Sequence, residues 1–376
     1  MRRGRKLAVD IKKLYHYFRY KYNSFRYKNS KLVHYAKNVL RHCVPHFLLK
    51  GEVEKAEASF AALPRHDQDY VRTRVDYYNK LDVPRANCKK HVTEPVSDNE
   101  MKNSWIHGNT TNTLDRVALR DFKLPPRHRR GFEKDYFIDL YEYTRFFPND
   151  LEITYQFGDV TDVKPVPAIV KSRPIRGDNA NSVLMNLTKR RHFLFIKDKN
   201  RFQDKKDMLV GRRWVARPHH IKFWEMYFDH PLCDLGWTEP PKSGIPAERI
   251  RWVKPFLTIG EHLKFKFILS LEGNDVATNL KWVMSSNSLA VMPSPTYETW
   301  FMEGRLIPNH HYVEIRSDYA DLEERLNYYI DHPEESLRII ENAHRYVAQF
   351  QNRKLEDLIS LLVLKKYFES TAAASS

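Results

Sequence analysis

LEGNDVATNLKWVMSSNSLAVM, residues 271–292, places a Gly-Asn-Asp turn and a helix-like segment between two short apolar runs. The upstream run is FKFILSL (265–271) and the downstream run is SLAVM (288–292), and both have the length of a strand. Residues 276–286 contain no Gly or Pro and place Val276, Leu280 and Val283 at helical spacing. The order strand, turn, helix, strand predicts two parallel strands joined by a right-handed crossover, the repeating unit of an α/β fold.

The turn in this stretch has two interpretations. Gly273, Asn274 and Asp275 would present backbone N–H groups at the N-terminus of the helix, which is a common seat for phosphate. Alternatively, the glycine serves packing only, as in many α/β proteins.

Length and composition favour a two-domain protein of a reducing compartment. The chain has 376 residues, 42% of them apolar, enough for about two packed cores. It has no apolar run long enough to span a membrane, and its N-terminus, MRRGRKLAVDIKKLYHYF, lacks the apolar core of a secretory signal. Three scattered cysteines form no CxxC pair, which argues against a disulfide framework or structural zinc. These features predict a cytoplasmic protein.

The net charge of +16 is concentrated at the N-terminus. Residues 1–50 contain fourteen Lys or Arg and one acid, Asp10, so they contribute +13. Apolar residues within 7–25 recur every three or four positions and line one helix face: Leu7, Ile11, Leu14, Phe18, Tyr22 and Phe25. This pattern predicts that residues 1–30 lie on an anionic membrane surface. Docking on the protein's own body and binding of single-stranded nucleic acid are the alternatives.

Strand and helix signals recur along the rest of the chain. Strands are predicted at LEITYQF (151–157), AIVKS (168–172), DMLVGRRWV (207–215) and HYVEI (311–315). The charged stretch 197–207 is the predicted linker. Near the end, Asp331 is the predicted N-cap of a helix that has Pro333 in its first turn, and a last helix is predicted over 355–368.

Several motifs in one order resemble a known family. They are PAIVKSRPIRGDNANSVLMNL (167–187), RHF (191–193), KKDMLVGR (205–212), HPLCDLG (230–236), EGNDVATNLKW (272–282) and YETWFMEG (297–304). Together they resemble glycosyltransferase family 90, in particular its bacterial lipopolysaccharide A-protein type, which is related to capsule-associated proteins and protein O-glucosyltransferases. The resemblance covers about residues 150–350 for the wider family. It implies an inverting, metal-independent glycosyltransferase.

The resemblance also implies an α/β fold of the GT-B type, in which two Rossmann-like domains face each other across a cleft, here with a basic helical N-terminal arm. The expected divisions are an arm at 1–50, an acceptor-side α/β domain with a helical start at 51–196, a nucleotide-sugar-binding α/β domain at 207–350, and a C-terminal helix and tail at 351–376.

Asp159, in YQFGDVTDV, occupies the position that resembles the family's catalytic base. An inverting transferase needs a carboxylate that takes the proton of the acceptor hydroxyl. Gly158 would allow a sharp turn at the carboxyl end of the preceding strand, where α/β domains bind ligands. The alternative role is an Asx-turn residue, and Asp162 is the second candidate for the base.

The donor diphosphate requires positive charge. The candidates are basic residues and their neighbours at strand ends and turns: Lys171, Ser172, Arg173, Gly211, Arg212, Arg213, Gly273, Asn274, Asp275, Asn279 and Lys281. Each basic residue could instead be a solvated base or a salt-bridge partner. The eukaryotic members of the wider family carry an arginine at the position that corresponds to Asn279, so Lys281 or the pair Arg212 and Arg213 would replace it here. Glu298 and Glu303 are candidates for the ribose hydroxyls, or else belong to a solvated helix face.

The leading hypothesis is an enzyme on the inner face of the cytoplasmic membrane. It would transfer a sugar from a nucleotide sugar, such as a UDP-sugar, to a lipid-linked glycan of lipopolysaccharide or a related surface polysaccharide, with no metal or other cofactor. A nucleic-acid-binding protein is the alternative from another class, although the near-neutral body argues against a nucleic-acid partner. A protein O-glycosyltransferase is the third hypothesis.

Overall fold

The computed structural model describes residues 31–81, 114–123, 133–238 and 244–372. The predicted amphipathic helix of the arm, residues 1–30, lies outside these ranges. The described helices are α1 (Lys31–Cys43), α2 (Glu52–Ala61), α3 (Arg65–Tyr78), α4 (Glu133–Thr144), α5 (Lys189–His192), α6 (Pro218–Tyr227), α7 (Ile259–His262), α8 (Leu280–Met284), α9 (Leu322–Asp331), α10 (Pro333–Ala348) and α11 (Arg353–Ala372).

Eleven strands are described. They are β1 (Asp115–Ala118), β2 (Glu152–Gln156), β3 (Ala168–Val170), β4 (Ser172–Pro174), β5 (Ser182–Leu184), β6 (Lys206–Arg213), β7 (Cys233–Trp237), β8 (Phe265–Leu269), β9 (Leu289–Met292), β10 (Tyr297–Thr299) and β11 (Val313–Glu314). Five short 3-10 helices complete the described structure: His46–Leu49, Leu119–Asp121, Phe202–Asp204, Ala247–Trp252 and Glu303–Arg305.

Two sheets follow each other along the chain. The first has the order β1-β2-β3-β5, with β1 antiparallel to β2 and the other pairs parallel. The second has the order β11-β9-β8-β6-β7 and is parallel throughout. All five residues of β8 are buried, as expected for a parallel strand covered on both faces. The order of this sheet reverses between β6 and β8, and ligands of such sheets bind at that point.

The sequence predicted the strands well. The six predicted runs became β2, β3, β6, β8, β9 and β11, and the predicted parallel pairing of β8 with β9 is confirmed. The helix in the opening stretch was predicted from residue 276 but begins only at Leu280. The predicted N-cap at Asp331 is wrong, because Asp331 is the last residue of α9 and His332 precedes α10; Pro333 does begin α10.

The chain has two halves, each built around one of these two sheets, and the halves contact each other. Strands β4 and β10 pair antiparallel, so a strand from each half forms a small third sheet. Helix α11 packs against the first half, where the Tyr367 hydroxyl accepts a hydrogen bond from the Thr154 N–H at 2.9 Å. One hydrophobic cluster includes buried residues of both sheets and of α11, and a second covers the other face of the second sheet.

The segment 197–207 joins the two sheets but is not a solvated linker. Lys205 pairs with Asp198 at 2.7 Å, and both side chains are about 1% exposed. The Lys205 ammonium also donates to the Leu263 carbonyl at 2.6 Å and to the Ser288 hydroxyl at 2.9 Å. The predicted domain boundaries themselves stay predictions. In the described part of the chain, no helix combines the length and the apolar character needed to cross a bilayer.

Candidate active site

Three charged side chains meet where β2, β3 and β8 end. The Lys171 ammonium donates to Asp159 Oδ1 at 2.5 Å and lies 2.7 Å from Asp275 Oδ2. Lys171 and Asp275 are buried, whereas the Asp159 side chain is 26% exposed. Asp159 is therefore the member of this carboxylate–lysine cluster that faces solvent.

The other oxygen of Asp159 is held from the second half of the chain. Asn274 donates its side-chain N–H to Asp159 Oδ2 at 3.0 Å. Arg217, at the start of α6, donates to Asn274 Oδ1 at 3.0 Å and so fixes the orientation of the amide. The turn after β8 thereby contacts the candidate base directly.

The backbone before Asp159 has the predicted sharp turn. Gly158 has a φ of 115°, a value that side-chain-bearing residues rarely adopt. Val160, the residue after Asp159, is fixed by Ser172, whose hydroxyl donates to the Val160 carbonyl at 3.1 Å. These contacts hold the carboxylate at the carboxyl end of β2.

The cluster is electrostatically tuned. Burial disfavours ionisation of Asp159, but Lys171, Asn274 and Arg191 together hold its pKa below the ordinary value. Burial raises the pKa of Asp275, and Lys171 offsets only part of this effect. Burial alone would lower the pKa of Lys171, but Asp275, Tyr136 and Asp159 raise it overall. Asp159 is therefore ionised at neutral pH, beside a lysine that stays charged.

A cleft of about 580 Å³ opens at the ends of β6 and β8, the point where the strand order reverses. Four of its lining residues are arginines: Arg190, Arg191, Arg212 and Arg213. None of the described residues that line it is Asp or Glu. We call it the basic cleft, and its electrostatic character suits an anionic ligand.

The four arginines differ in their partners. Arg212 pairs with Asp234 at 2.8 Å, and Arg190 pairs with Asp135 at 2.6 Å. Arg213 donates only to carbonyl oxygens, those of Leu271 at 2.9 Å and Glu272 at 3.0 Å.

Two of these charges have no carboxylate partner among the described residues. Burial lowers the pKa of Arg213 to about 10, because its charge has no acidic partner to compensate it. Arg191 is exposed and forms no ion pair with the described residues, yet it is close enough to Asp159 to lower the pKa of that carboxyl. The basic cleft thus contains two positive charges that no carboxylate of the described residues compensates, and one of them, Arg191, acts on the candidate base.

The structure brings together nine of the predicted site residues. Gly211, Arg212, Arg213, Gly273 and Asn279 line the basic cleft. Asp159, Lys171, Asn274 and Asp275 form the cluster beside it. Ser172 supports the cluster through its hydrogen bond to the Val160 carbonyl.

Four predicted donor residues lie elsewhere, in buried ion pairs. Arg173 pairs with Glu298 at 2.8 Å and donates to the Tyr77 carbonyl at 2.6 Å. Lys281 pairs with Glu303 at 2.5 Å, and neither side chain is exposed. Because their charges are compensated inside the protein, the geometry favours a structural role for all four and removes the support for a donor contact.

The Gly-Asn-Asp turn is not a phosphate seat of the predicted kind. The Gly273 N–H donates to the Asp275 carbonyl at 3.1 Å, and the helix that follows has only five residues. Asn279 donates its side-chain N–H to the Leu269 carbonyl at 2.9 Å. The turn contributes side chains to the site, chiefly Asn274 and Asp275, and not a free helix N-terminus.

Sequence reasoning missed Arg190, Arg191 and Arg217. Arg190 and Arg191 lie on α5, which begins after Thr188, a non-glycine residue with a φ of 58°. Asp139 of α4 holds this turn, because it accepts the Lys189 N–H at 2.8 Å. The signal in the sequence was the run KRRH (189–192) shortly after the strand Ser182–Leu184.

The described residues hold no group of three or more His, Cys, Asp or Glu that could bind a metal ion. The one Asp-x-Asp triplet of the sequence, Asp67-Gln68-Asp69, lies on α3, where Asp69 pairs with Arg72 at 3.1 Å.

A second groove, of about 920 Å³, has a balanced charge. Its lining includes three arginines (Arg176, Arg316 and Arg325) and three carboxylates (Glu314, Asp318 and Asp321). Hydroxyl side chains, including that of Tyr297, and the amide of Asn309 complete its polar surface, and Thr161 brings it within two residues of Asp159. This groove suits an uncharged polar ligand better than an anion.

Comparisons with known proteins identify a family and a relative. A family model described as "Glycosyl transferase family 90" matches residues 251–369. A curated protein of Dichelobacter nodosus, "O-glucosyltransferase LpsA", is 46% identical over 324 residues, which are 86% of this chain and 90% of that protein.

Proposed function

Because this chain belongs to glycosyl transferase family 90 and is a glycosyltransferase, we propose that it transfers a sugar from a nucleotide sugar to a lipid-linked glycan. The reaction inverts the anomeric centre and uses no metal ion. The name of the D. nodosus relative suggests glucose as the sugar. A UDP-sugar is the proposed donor.

The observation that supports this proposal is the basic cleft beside Asp159. A nucleoside diphosphate carries negative charge that increases as the bond to the sugar breaks. Arg213 and Arg191 offer charges that no carboxylate of the described chain neutralises. A bound diphosphate would compensate the buried charge of Arg213, which gives the ligand a favourable site.

Asp159 acts as the base in this mechanism. It takes the proton of the acceptor hydroxyl while the hydroxyl oxygen bonds to the anomeric carbon and the bond from that carbon to the diphosphate breaks. The departing diphosphate keeps the electron pair and remains near the arginines of the basic cleft. Since the oxygen attacks from the side opposite the leaving group, the configuration inverts.

Lys171 and Asp275 support this step. When Asp159 becomes neutral, the Lys171 ammonium still has Asp275 at 2.7 Å as its partner. The lysine is therefore never left as an unpaired buried charge, a situation that would cost several kcal/mol. Lys171, Asn274 and Asp275 are positioning residues in this scheme.

The acceptor is proposed to bind in the 920 Å³ groove. Its equal numbers of acidic and basic lining residues favour a glycan over a phosphate. We place the acceptor on a lipid, in the biosynthesis of lipopolysaccharide or a related surface polysaccharide, with the enzyme held on the inner face of the cytoplasmic membrane by residues 1–30. The basic, amphipathic sequence of those residues supports this placement.

A GT-B arrangement is proposed for the whole molecule. It is supported by two sheets in succession, by the strand order of the second sheet, and by the return of α11 to the first half. Measurement of small-angle scattering with and without nucleotide would test whether the halves close on the donor, as expected for two domains across a cleft.

Two other functions remain to be separated from this one. A nucleic-acid-binding protein would use the basic N-terminal region, and its affinity for RNA would fall steeply with salt. A protein O-glycosyltransferase would use the same site with a polypeptide acceptor. Assays with RNA and with polypeptide acceptors would distinguish both.

The test is nucleotide-sugar binding and slow hydrolysis by the purified protein, with UDP-, GDP- and CMP-sugars, in the presence of excess chelator. We expect binding of a UDP-sugar that Arg191→Met weakens about tenfold or more. Arg65→Met, at an exposed arginine that begins α3, is the matched control and should bind normally. Absence of binding to every nucleotide sugar, or a strict need for magnesium or manganese, would overturn the proposal.

A further inference from the structure

Exposed apolar side chains are concentrated in one short segment of the described chain. Fourteen large apolar side chains of the described residues are exposed, and six of them lie within residues 33–48. The four most exposed of these six are Val39, Leu40, Phe47 and Leu48, each at least 60% exposed. A concentration of exposed apolar side chains within sixteen residues points to an interaction site, whereas exposed apolar residues scattered singly need no explanation.

This segment is held in place by its other face. The Tyr35 hydroxyl donates to Asp135 at 3.0 Å, Asn38 is buried, and His42 stacks on Tyr141 with ring centroids 4.1 Å apart. Arg41 pairs with Glu142, and His46 is hydrogen-bonded to the Phe147 carbonyl at 3.0 Å. Helix α1 and the following 3-10 helix, His46–Leu49, are therefore fixed against α4, and their apolar groups point outward as a consequence of the fold.

The charge of the segment identifies its partner. Residues 31–50 contain four basic residues, Lys31, Lys37, Arg41 and Lys50, and no Asp or Glu. Lys37 and Lys50 are exposed beside the apolar groups. Apolar side chains flanked by lysines, with no acid among them, match a surface that is anionic outside and apolar beneath, which describes a bilayer rich in acidic lipid.

We propose that Val39, Leu40, Phe47 and Leu48 form a docking face that inserts into the headgroup boundary of an anionic bilayer, while Lys37 and Lys50 contact lipid phosphates. This inference rests on the proposed function for its biological role, since a membrane enzyme needs a fixed orientation toward its lipid-linked acceptor. It goes beyond residues 1–30, because the docking face belongs to the folded body. The enzyme is thereby oriented on the lipid surface as well as attached to it.

The test compares full-length proteins in vesicle sedimentation. The vesicles contain phosphatidylethanolamine with phosphatidylglycerol, and vesicles of phosphatidylcholine alone serve as the neutral comparison. The double variant Phe47→Ser, Leu48→Ser should bind the anionic vesicles at least tenfold more weakly than the wild type. The control variant Ile307→Ser, Leu337→Ser removes apolar side chains that are 54% and 40% exposed elsewhere, and should bind within twofold of the wild type.

Three results would overturn the inference. The docking-face variant could bind vesicles as tightly as the wild type, which would leave residues 1–30 as the membrane contact. Both double variants could lose vesicle binding equally, which would show that the docking face contributes no more to binding than other exposed apolar side chains. The wild type could form a dimer that the docking-face variant does not form, without binding vesicles, which would make this face a contact between copies of the chain.

Thermal unfolding of each variant shows that it is folded, and binding of UDP-sugar reports on the donor site separately. Loss of vesicle binding by a folded docking-face variant supports the inference even if no nucleotide sugar binds. In that case the proposed function is wrong, but the docking face is still supported as a membrane-binding surface.

Discussion

Asp159 accepts a hydrogen bond on each carboxylate oxygen, from Lys171 on one side and Asn274 on the other. These donors come from different halves of the chain, so the candidate base forms only when both halves are folded. The charged or titratable groups that act on it are Lys171, Asp275, Arg191 and Tyr136. Substitution of Lys171 by Met or of Asp275 by Asn removes a charge next to Asp159 and leaves a side chain of similar size.

Replacing the base should stop transfer and spare donor binding. Asp159→Asn keeps the size of the side chain but cannot accept the acceptor's proton, so we expect the transfer rate to fall roughly a thousandfold. Affinity for the nucleotide sugar should stay within about threefold, because Asp159 acts on the acceptor. Asp162→Asn is the control, since Asp162 is 64% exposed and pairs with Lys164. If only the control variant loses activity, Asp162 is the base.

Lys171 and Asp275 should shift the acid limb of the pH–rate profile in opposite directions. Lys171→Met removes the charge that holds the pKa of Asp159 down, so the acid limb should move to higher pH. Asp275→Asn removes a neighbouring negative charge, so the pKa of Asp159 should fall and the acid limb should move to lower pH. The measurement is kcat/KM against pH for both variants and the wild type. Shifts in the same direction would show that the two residues act only through the fold.

The sequence predicted the roles of some individual site residues and not of others. Gly158 and Asp159 were predictable, because a glycine and a carboxylate directly follow a recognisable strand. Arg217 was not, because its role depends on Asn274, which lies 57 positions away in the sequence. Glu298 and Glu303 look exposed in sequence, but their partners Arg173 and Lys281 make them internal.

The short helices around the site show how tertiary contacts override local preference. Residues 276–279 have helical spacing and no helix breaker, yet they form a turn. The preceding Asp275 is held by Lys171, and Asn279 is held by the Leu269 carbonyl. These two anchors fix both ends of the segment, so the helix is left only residues 280–284. A sequence window contains neither Lys171 nor the geometry of β8, and so cannot predict this.

Helix α5, which carries two arginines of the basic cleft, depends on a buried carboxyl of α4. Burial raises the pKa of Asp139 to about 7, although Lys189 partly opposes this. The unfolded chain ionises Asp139 near pH 4, so between about pH 4 and 7 the folded state holds the extra proton. Stability should therefore fall as pH rises through this window.

The variant Asp139→Asn should remove this pH dependence, because the amide oxygen can still accept the Lys189 N–H but carries no charge. We expect the variant to be more stable than the wild type at pH 8, by up to roughly 4 kcal/mol, and to lose that advantage near pH 4. Urea unfolding at pH 4, 6 and 8 measures the difference. Asp150→Asn, at an exposed position, should show no such pH-dependent gain. A constant difference at all three values would contradict the assignment.

The two halves of the molecule are tied together by a buried carboxylate of α11. Glu356 pairs with Arg74 of α3 and accepts the Trp300 ring N–H at 2.5 Å. Arg74 and Trp300 are fully buried, and the Tyr78 ring stacks on the Trp300 ring at 3.8 Å. One side chain thus connects the helical region before the first sheet, the loop after β10 and the last helix.

Removing that carboxylate should destabilise the whole protein. Glu356→Ala leaves the Arg74 charge buried without its partner, so we expect a loss of about 3–5 kcal/mol in the free energy of unfolding. Glu341→Ala, which breaks an exposed pair with Arg345 on α10, should cost less than about 1 kcal/mol. Urea midpoints of the two variants provide the comparison. Similar midpoints would show that Glu356 contributes no more than a surface pair.

Whole-molecule organisation was only partly predictable. The alternation of strands and helices predicted two α/β units, because each strand is an apolar run bounded by turn residues. The destination of α11 was not predictable, since the run LISLLVLKKYF within it is apolar around much of the helix and could pack on either half. The structure places it against the first half, through the contact of Tyr367 with Thr154 and through Phe368, which packs on Phe147 with ring centroids 4.9 Å apart.

That return of the last helix has a consequence for biosynthesis. The first sheet is fully translated at Leu184, but Arg353, the first residue of the helix that covers it, follows 169 residues later. At about 5–20 residues per second, the ribosome needs roughly 10–30 s for this interval. Throughout that time the nascent first half lacks the Tyr367 and Phe368 side chains that close its core, and it exposes apolar surface to chaperones. A premature stop codon after Glu314, the end of β11, and before Arg353 would leave a polypeptide with both sheets encoded and the first half unfinished.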